Sequence, residues 1–87
     1  MSTQRAVDIQ ALAVVEAAGL PSALSLRQAE IVELISQGLQ NKQIAHRLGI
    51  SDATVKAHVA KAMVATGCRN RVTLALFWLR HTGRLLP

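Results

Sequence analysis

The sequence predicts an all-α domain of four or five helices, and three observations predict it. Fourteen of the 87 residues are Ala and only Phe77 and Trp78 are aromatic. That balance suits helices and starves a sheet of the β-branched and aromatic residues it packs with. The five glycines, Gly19, Gly38, Gly49, Gly67 and Gly83, each follow a stretch with apolar residues at helical spacing, where a left-handed stop belongs. Ser, Thr or Asn stands ahead of each stretch, where a side-chain oxygen can cap orphan backbone amides.

Taken in order, Ser2 or Thr3 is the expected cap of a first helix running to about Ala18, stopped by Gly19 with Pro21 just beyond. Its wide apolar stripe (Val7, Ala11, Val14, Ala18, with Leu12 and Val15) must dock somewhere, and the last helix is the expected surface. Ser25-Leu26-Arg27-Gln28 reads as a capping box that opens a helix through Ile31, Leu34 and Ile35, ending at Gly38. Asn41 is the expected cap of a short helix containing Ile44, Ala45 and Leu48, which ends at Gly49. Ser51 caps the next, which carries Val55, Val59, Ala62 and Thr66 before Gly67. Asn70 caps the last, from Arg71 to about His81, closed by Gly83. Residues 1–22 read as a helical extension and residues 23–87 as the domain proper.

Composition removes several classes of function. No run of about 18 apolar residues could span a membrane, and no basic-then-apolar leader opens the chain. The single cysteine, Cys68, allows no internal disulfide and no thiolate-cluster zinc site. With no Tyr there is no aromatic platform for stacking single-stranded bases. No Ser-His-Asp order, Gly-rich phosphate loop or paired metal motif appears, so neither an enzyme nor a cofactor or metal site is expected. Asp8, Glu16, Glu30, Glu33 and Asp52 are too scattered to nominate a carboxylate pair. The net charge is +5 and the pI near 10.8. Its placement is informative: residues 41–87 hold eight Lys and Arg against Asp52 alone, a net +7, whereas the rest is slightly acidic. A basic half suggests an acidic polymer as partner, although a solvated basic surface also serves solubility.

The two short helices around Gly49 meet the local demands of a tight turn between steeply crossing helices. Ala45 supplies the small residue where the second helix packs closest, Gly49 the left-handed backbone, Ile44, Leu48, Ile50 and Val55 the apolar plugs, and Ser51 the immediate new cap. This is the helix-turn-helix pattern, whose second helix is the usual reader of the DNA major groove.

Gly38-Leu39, Asn41-Lys42 with Ile44-Ala45, Leu48-Gly49-Ile50-Ser51, Thr54-Val55-Lys56 with His58, and Asn70-Arg71 stand in one ungapped stretch from Leu24 to Leu76. The combination resembles the LuxR/FixJ-type (GerE-like) DNA-binding domain of bacterial transcription regulators. That resemblance implies a four-helix domain, here with an additional N-terminal helix, which dimerises through its last helix on promoter DNA. The sequence departs from the family's habit at Gln28, where an acidic residue is usual, at Leu26 and Gln40, and at Ala65-Thr66, where a Lys-Leu pair is favoured.

On the reading helix, steps of about 100° place Val55, Val59, Ala62 and Thr66 on a face expected to be buried. Ala53, Ala57, Ala60 and Val64 fall opposite, flanked by Lys56 and Lys61. Such a strip would let the helix settle deep in a groove and touch thymine methyls, although Ala is also simply the strongest helix former on a solvated face. By resemblance, the base-reading positions are Lys56, Ala57 and Ala60 with Lys61 nearby, and the phosphate contacts fall on Asn41, Lys42, Thr54 and Arg71. With two alanines among the readers, modest sequence specificity is expected. His58 is expected to wedge against the domain or a phosphate, and Cys68 to be a buried, inert thiol.

In the last helix, Val72, Ala75, Leu76 and Leu79 are expected to complete the core. Leu74, Phe77 and Trp78 would then face outward as a dimer interface. About 23 residues precede the matching stretch, which leaves no room within the sequence for a sensory or receiver domain. The expected function is that of a cytoplasmic, dimeric, sequence-specific transcription regulator bound to double-stranded promoter DNA. RNA polymerase or another LuxR-type regulator are candidate further partners. The alternative is an interaction module that heterodimerises with such a regulator without binding DNA, and a third reading is a sigma-factor-like region that contacts polymerase.

Overall fold

A computed structural model describes residues 8–85 and is all-helical. Five helices follow one another: α1 (Ile9–Ala18), α2 (Leu26–Ser36), α3 (Asn41–Leu48), α4 (Asp52–Thr66) and α5 (Arg71–His81). The caps explain most of the boundaries. Ser25 Oγ accepts the Gln28 amide while Gln28 Oε1 accepts the Ser25 amide, closing the expected box. Ser51 and Asn70 cap α4 and α5 through the amides of Thr54 and Thr73.

Two caps differ from expectation. Asp8 caps α1, its Oδ1 accepting the Ala11 amide at 2.9 Å, while Ser2 and Thr3 lie outside the described residues. The cap of α3 is Gln40, whose own amide donates to Gln43 Oε1 at 2.8 Å, so that Asn41 is already the first helical residue. Asn41 is freed from capping by this shift, and its side chain is used elsewhere.

Gly49 ends α3 in the left-handed region (φ 68°, ψ 34°). Its amide donates to His46 O, and the Ile50 amide reaches back to Ala45 O at 3.0 Å, the paired bonds of a Schellman motif. A side chain at this φ crowds the following carbonyl. Gly49→Ala is therefore expected to cost about 1–2 kcal/mol, read as a lower urea midpoint with an unchanged slope.

The core is organised around α2, which packs against α1, α4 and α5. Seven consecutive residues, Ala29 to Ile35, are buried, so α2 is sheathed on nearly all sides. Ile44, Leu48 and Val55 are fully buried and Ala45 nearly so, which fills the α3–α4 crossing as the sequence predicts. The N-terminal helix buries Ala11 and Val15 and docks chiefly on α2, not on the last helix. Its contact with α5 is made at the end, where His81 Nε2 lies 2.8 Å from Gly19 O.

The facing of α5 departs from the expectation, although Ala75 packs against the core as expected. Leu74 and Trp78 have no exposed surface, Phe77 is half-buried, and Val72 (68%) and Leu76 (38%) face solvent. The cause is polar. Trp78 Nε1 donates to Glu33 Oε1 at 2.6 Å, and a buried indole N–H goes where its acceptor is. Leu74 and Trp78 therefore belong to the domain's own core and cannot present a dimer surface.

Three carboxylates that look scattered in sequence each tie elements together. Glu33, on α2, accepts from Trp78, from Gln37 Nε2 at 2.7 Å, and from both terminal nitrogens of Arg84 beyond α5. Glu30 accepts the Asp8 amide and pairs with Arg27 at 3.1 Å. Asp8, besides its cap, pairs with Arg47 of α3 at 3.0 Å. Burial works against ionisation of Glu33 and Asp8. At Glu33 the donors from Arg84, Gln37 and Trp78 outweigh it, and at Asp8 those from Ala11 and Arg47 do, so both carboxyls sit below their ordinary values of 4.5 and 3.8.

A carboxyl whose pKa is lower when folded than unfolded stabilises the fold above the unfolded value and loses that contribution as pH falls through the folded one. Stability is therefore expected to be level from neutrality to about pH 5 and to decline below about pH 4.5. Urea denaturation at pH 7, 5 and 3 checks this, and equal stability at pH 7 and 3 would contradict it.

Candidate nucleic-acid interface

The α3–turn–α4 unit presents two surfaces to solvent. The outward strip of α4, Ala53, Ala57, Ala60 and Val64, is exposed along its length, Val64 to 84%. Lys56 and Lys61 are exposed beside it. The opposite side, Val55, Val59 and Ala62, is buried against the rest of the domain, and Thr66 is half-buried, its hydroxyl donating to Ala62 O at 2.8 Å. The four positions Lys56, Ala57, Ala60 and Lys61 are thus brought together on one open face.

The four phosphate candidates separate into two kinds. Lys42 is exposed in the first turn of α3, and Thr54 is exposed in the first turn of α4 with its hydroxyl 2.9 Å from Ser51 Oγ. Each stands near amides of a helix start, where an anionic oxygen is favoured. Asn41 and Arg71 are instead joined to each other. Arg71 Nη1 donates to Asn41 Oδ1 at 2.7 Å and Nη2 to Leu39 O at 2.8 Å, so the guanidinium bridges from α5 to the start of α3. Burial lowers the Arg71 pKa from its ordinary value. Its geometry is that of a brace holding the Leu39–Asn41 segment, a link between residues 30 apart that sequence spacing does not reveal.

Arg47 is likewise missed by sequence reasoning. Its pairing with Asp8 ties α1 directly to the first helix of the turn unit. His58 is half-buried on α4. Cys68 is half-exposed and not buried as expected, its thiol 3.6 Å from Thr73 O. No cluster of His, Cys, Asp or Glu among the described residues could hold a metal ion, and no helix of theirs is long and apolar enough to cross a membrane.

A basic, exposed second helix set across a Schellman turn from a short first helix defines a helix-turn-helix DNA-binding domain. Residues 22–78 match the GerE family, described as bacterial regulatory proteins of the luxR family, and the chain belongs to that family. It is 37% identical over 62 residues to the nitrate/nitrite response regulator protein NarP of Escherichia coli (strain K12), a match covering 71% of this chain and 29% of NarP. With NarL of the same strain the identity is 43% over 62 residues, covering 71% of this chain and 28% of NarL. With the C4-dicarboxylate transport transcriptional regulatory protein DctR of Rhodobacter capsulatus it is 46% over 48 residues, 55% of this chain and 24% of DctR. The matched stretch thus spans less than a third of each relative's length. No solved structure matches this chain at a significant level.

Proposed function

We propose that this chain regulates transcription by laying α4 in the major groove of promoter DNA as one half of a homodimer. The observation that carries the reading is the continuous exposure of Ala53, Ala57, Ala60 and Val64 between Lys56 and Lys61. Bulky side chains would hold the helix off the base edges, and these do not. Lys56, Ala57, Ala60 and Lys61 are assigned to the bases, and Lys42 and Thr54 to flanking phosphates. Asn41 and Arg71 support the phosphate side, Arg71 through its brace on the start of α3. Thymine methyls suit the alanines, and the lysines reach guanine edges or phosphates. Acting on promoter DNA places the protein in the cytoplasm, with RNA polymerase or a second regulator of the family as further partners.

Phosphate contacts should dominate affinity, and each phosphate neutralised releases counterions and steepens the fall of log K with log salt by about 0.9. Titration of a labelled duplex between low and moderate salt is expected to show a slope of several units. Binding that barely weakens with salt would overturn the reading.

The dimer surface follows the corrected facing of α5: Val72 and Leu76, exposed and one turn apart, replace Leu74 and Trp78, with Phe77 at the edge. Leu76→Asp is expected to leave a folded monomer by sedimentation, with DNA affinity reduced because only one half-site is held. A dimer that survives this substitution would remove α5 as the pairing helix.

The exposed alanines also favour a second reading, an interaction module that pairs with another regulator of the family without binding DNA itself. Absence of binding to both a random duplex and a candidate promoter at low salt selects that reading.

A further inference from the structure

Among the large apolar residues described, Val64 is the most exposed, at 84%. It stands seven residues after Ala57 on α4, and that spacing brings it within about 20° of the same bearing around the helix. The other positions of the strip, Ala53, Ala57 and Ala60, all carry the strongest helix former, and a β-branched residue is a poorer one. Helix stability therefore does not account for a valine at this place, and neither does solubility. With Ala60, Lys61 and Ala65, Val64 lines an open hollow of about 300 Å3 in the C-terminal half of α4. Three of these four residues are aliphatic, and Lys61 contributes the only charge.

We propose that Val64 is a specificity-determining residue, whose methyl groups meet the C5-methyl of a thymine beyond the base pairs met by Ala57 and Ala60. The proposal rests on the reading of α4 as the major-groove helix. An occupant of the hollow must set an apolar group beside a negative charge that suits Lys61. DNA offers that combination at a thymine, whose methyl is the one apolar group on a base edge in the major groove and stands between two phosphate chains. The hollow is continuous with the assigned base face, because Ala60 and Lys61 belong to both. A second copy fits this face poorly. Two-fold pairing here would set Lys56 and Lys61 against the same two lysines, and like charges across an interface are costly. Reach explains why the alanines give way to a valine. Val64 lies about 10 Å beyond Ala57 along the helix, more than one base-pair step of about 3.4 Å. A straight helix draws away from a groove floor that winds round the duplex, so a side chain near its end must extend further than one at its centre. Valine carries its methyls one bond beyond the alanine methyl.

The probes are duplexes selected from a random pool by the wild-type chain, with each thymidine then replaced in turn by deoxyuridine, which lacks only the C5-methyl. Fluorescence anisotropy gives the affinity of wild type and of Val64→Ala for every member of the series. The side chain is exposed and Ala is the better helix former, so the variant should melt no lower than wild type. At one thymidine in each half-site, deoxyuridine is expected to weaken wild type about fourfold, the worth of one buried methyl, and to leave Val64→Ala unaffected. Thymidines that answer to Ala57 and Ala60 should remain sensitive in both proteins. Coincident series for the two proteins overturn the proposal, whether or not the variant binds more weakly throughout. So does a change in the variant's sedimentation with its series unaltered, which makes the hollow a contact between copies. If Lys56→Ala flattens the sequence preference while the two series coincide, α4 reads bases and Val64 does not. If the wild type binds no duplex, the reading of α4 falls and the proposal falls with it.

Discussion

Trp78→Ala is expected to cost about 3–5 kcal/mol and to lower the melting temperature by more than about 10 °C. Trp78 is the largest fully buried side chain, and its removal opens a cavity that the packed residues of α2 cannot collapse to fill. It also strips Glu33 of one of its donors. A domain of this size has on the order of 4–13 kcal/mol of stability in total, so the variant should be poorly folded and lose every binding activity together. Trp78→Phe separates the two contributions. It keeps a six-membered aromatic ring and loses the bond to Glu33 with a smaller share of the packing, for which about 1–3 kcal/mol is expected. The opposite facing of α5 makes a different prediction, a stable monomer from either substitution. A thermal melt beside a sedimentation run decides between them, and a folded monomeric Trp78→Ala would refute the buried position.

Why α5 misleads a reader of the sequence is instructive. Val72, Leu74, Ala75, Leu76, Phe77, Trp78 and Leu79 make it apolar on almost every side, so helical periodicity offers no preferred stripe. What orients the helix is a buried carboxylate 45 residues away, and nothing local marks Glu33 as buried. The features that are legible share a different property, since each is closed within a few residues. Ser25 with Gln28, Ser51 with Thr54, Asn70 with Thr73 and the left-handed Gly49 are complete short-range arrangements, and residue type alone declares them. The cap of α1 is the local exception. Asp8 is in the sequence as plainly as Ser2 and Thr3, but apolar spacing from Val7 onward does not say where the helix begins. The candidate interface divides along the same line. The exposed strip of α4 follows from period and buried face, whereas Arg71 bracing Asn41 and Arg47 holding Asp8 are long-range and become visible only in the folded chain.

That division shapes the second large effect, on DNA. Lys42→Ala and Lys56→Ala remove one positive charge each, yet different consequences are expected because the two lysines stand on different helices. Lys42, in the first turn of α3, meets a phosphate. Its loss should weaken all duplexes alike and reduce the salt slope by about 1. Lys56, exposed beside Ala57 and Ala60, is the one long donor among the central reading positions. Its loss should cost about 1–3 kcal/mol on the preferred duplex and little on a random one, which flattens the ratio between them. Because the neighbouring alanines contribute methyl contacts and no hydrogen bonds, Lys61 alone remains to supply a hydrogen bond to a base edge. Selection from a random duplex pool, with wild type and each variant in parallel, gives the preferred site and tests the split at once. If Lys56→Ala retained the full preference and Lys42→Ala lost it, the α3 start would be the element reading bases and α4 the one holding the backbone. Uniform weakening on all duplexes in both variants, with the preference kept, would mean that neither lysine carries sequence information, and that specificity comes from the shape of the DNA and its fit to the alanine strip.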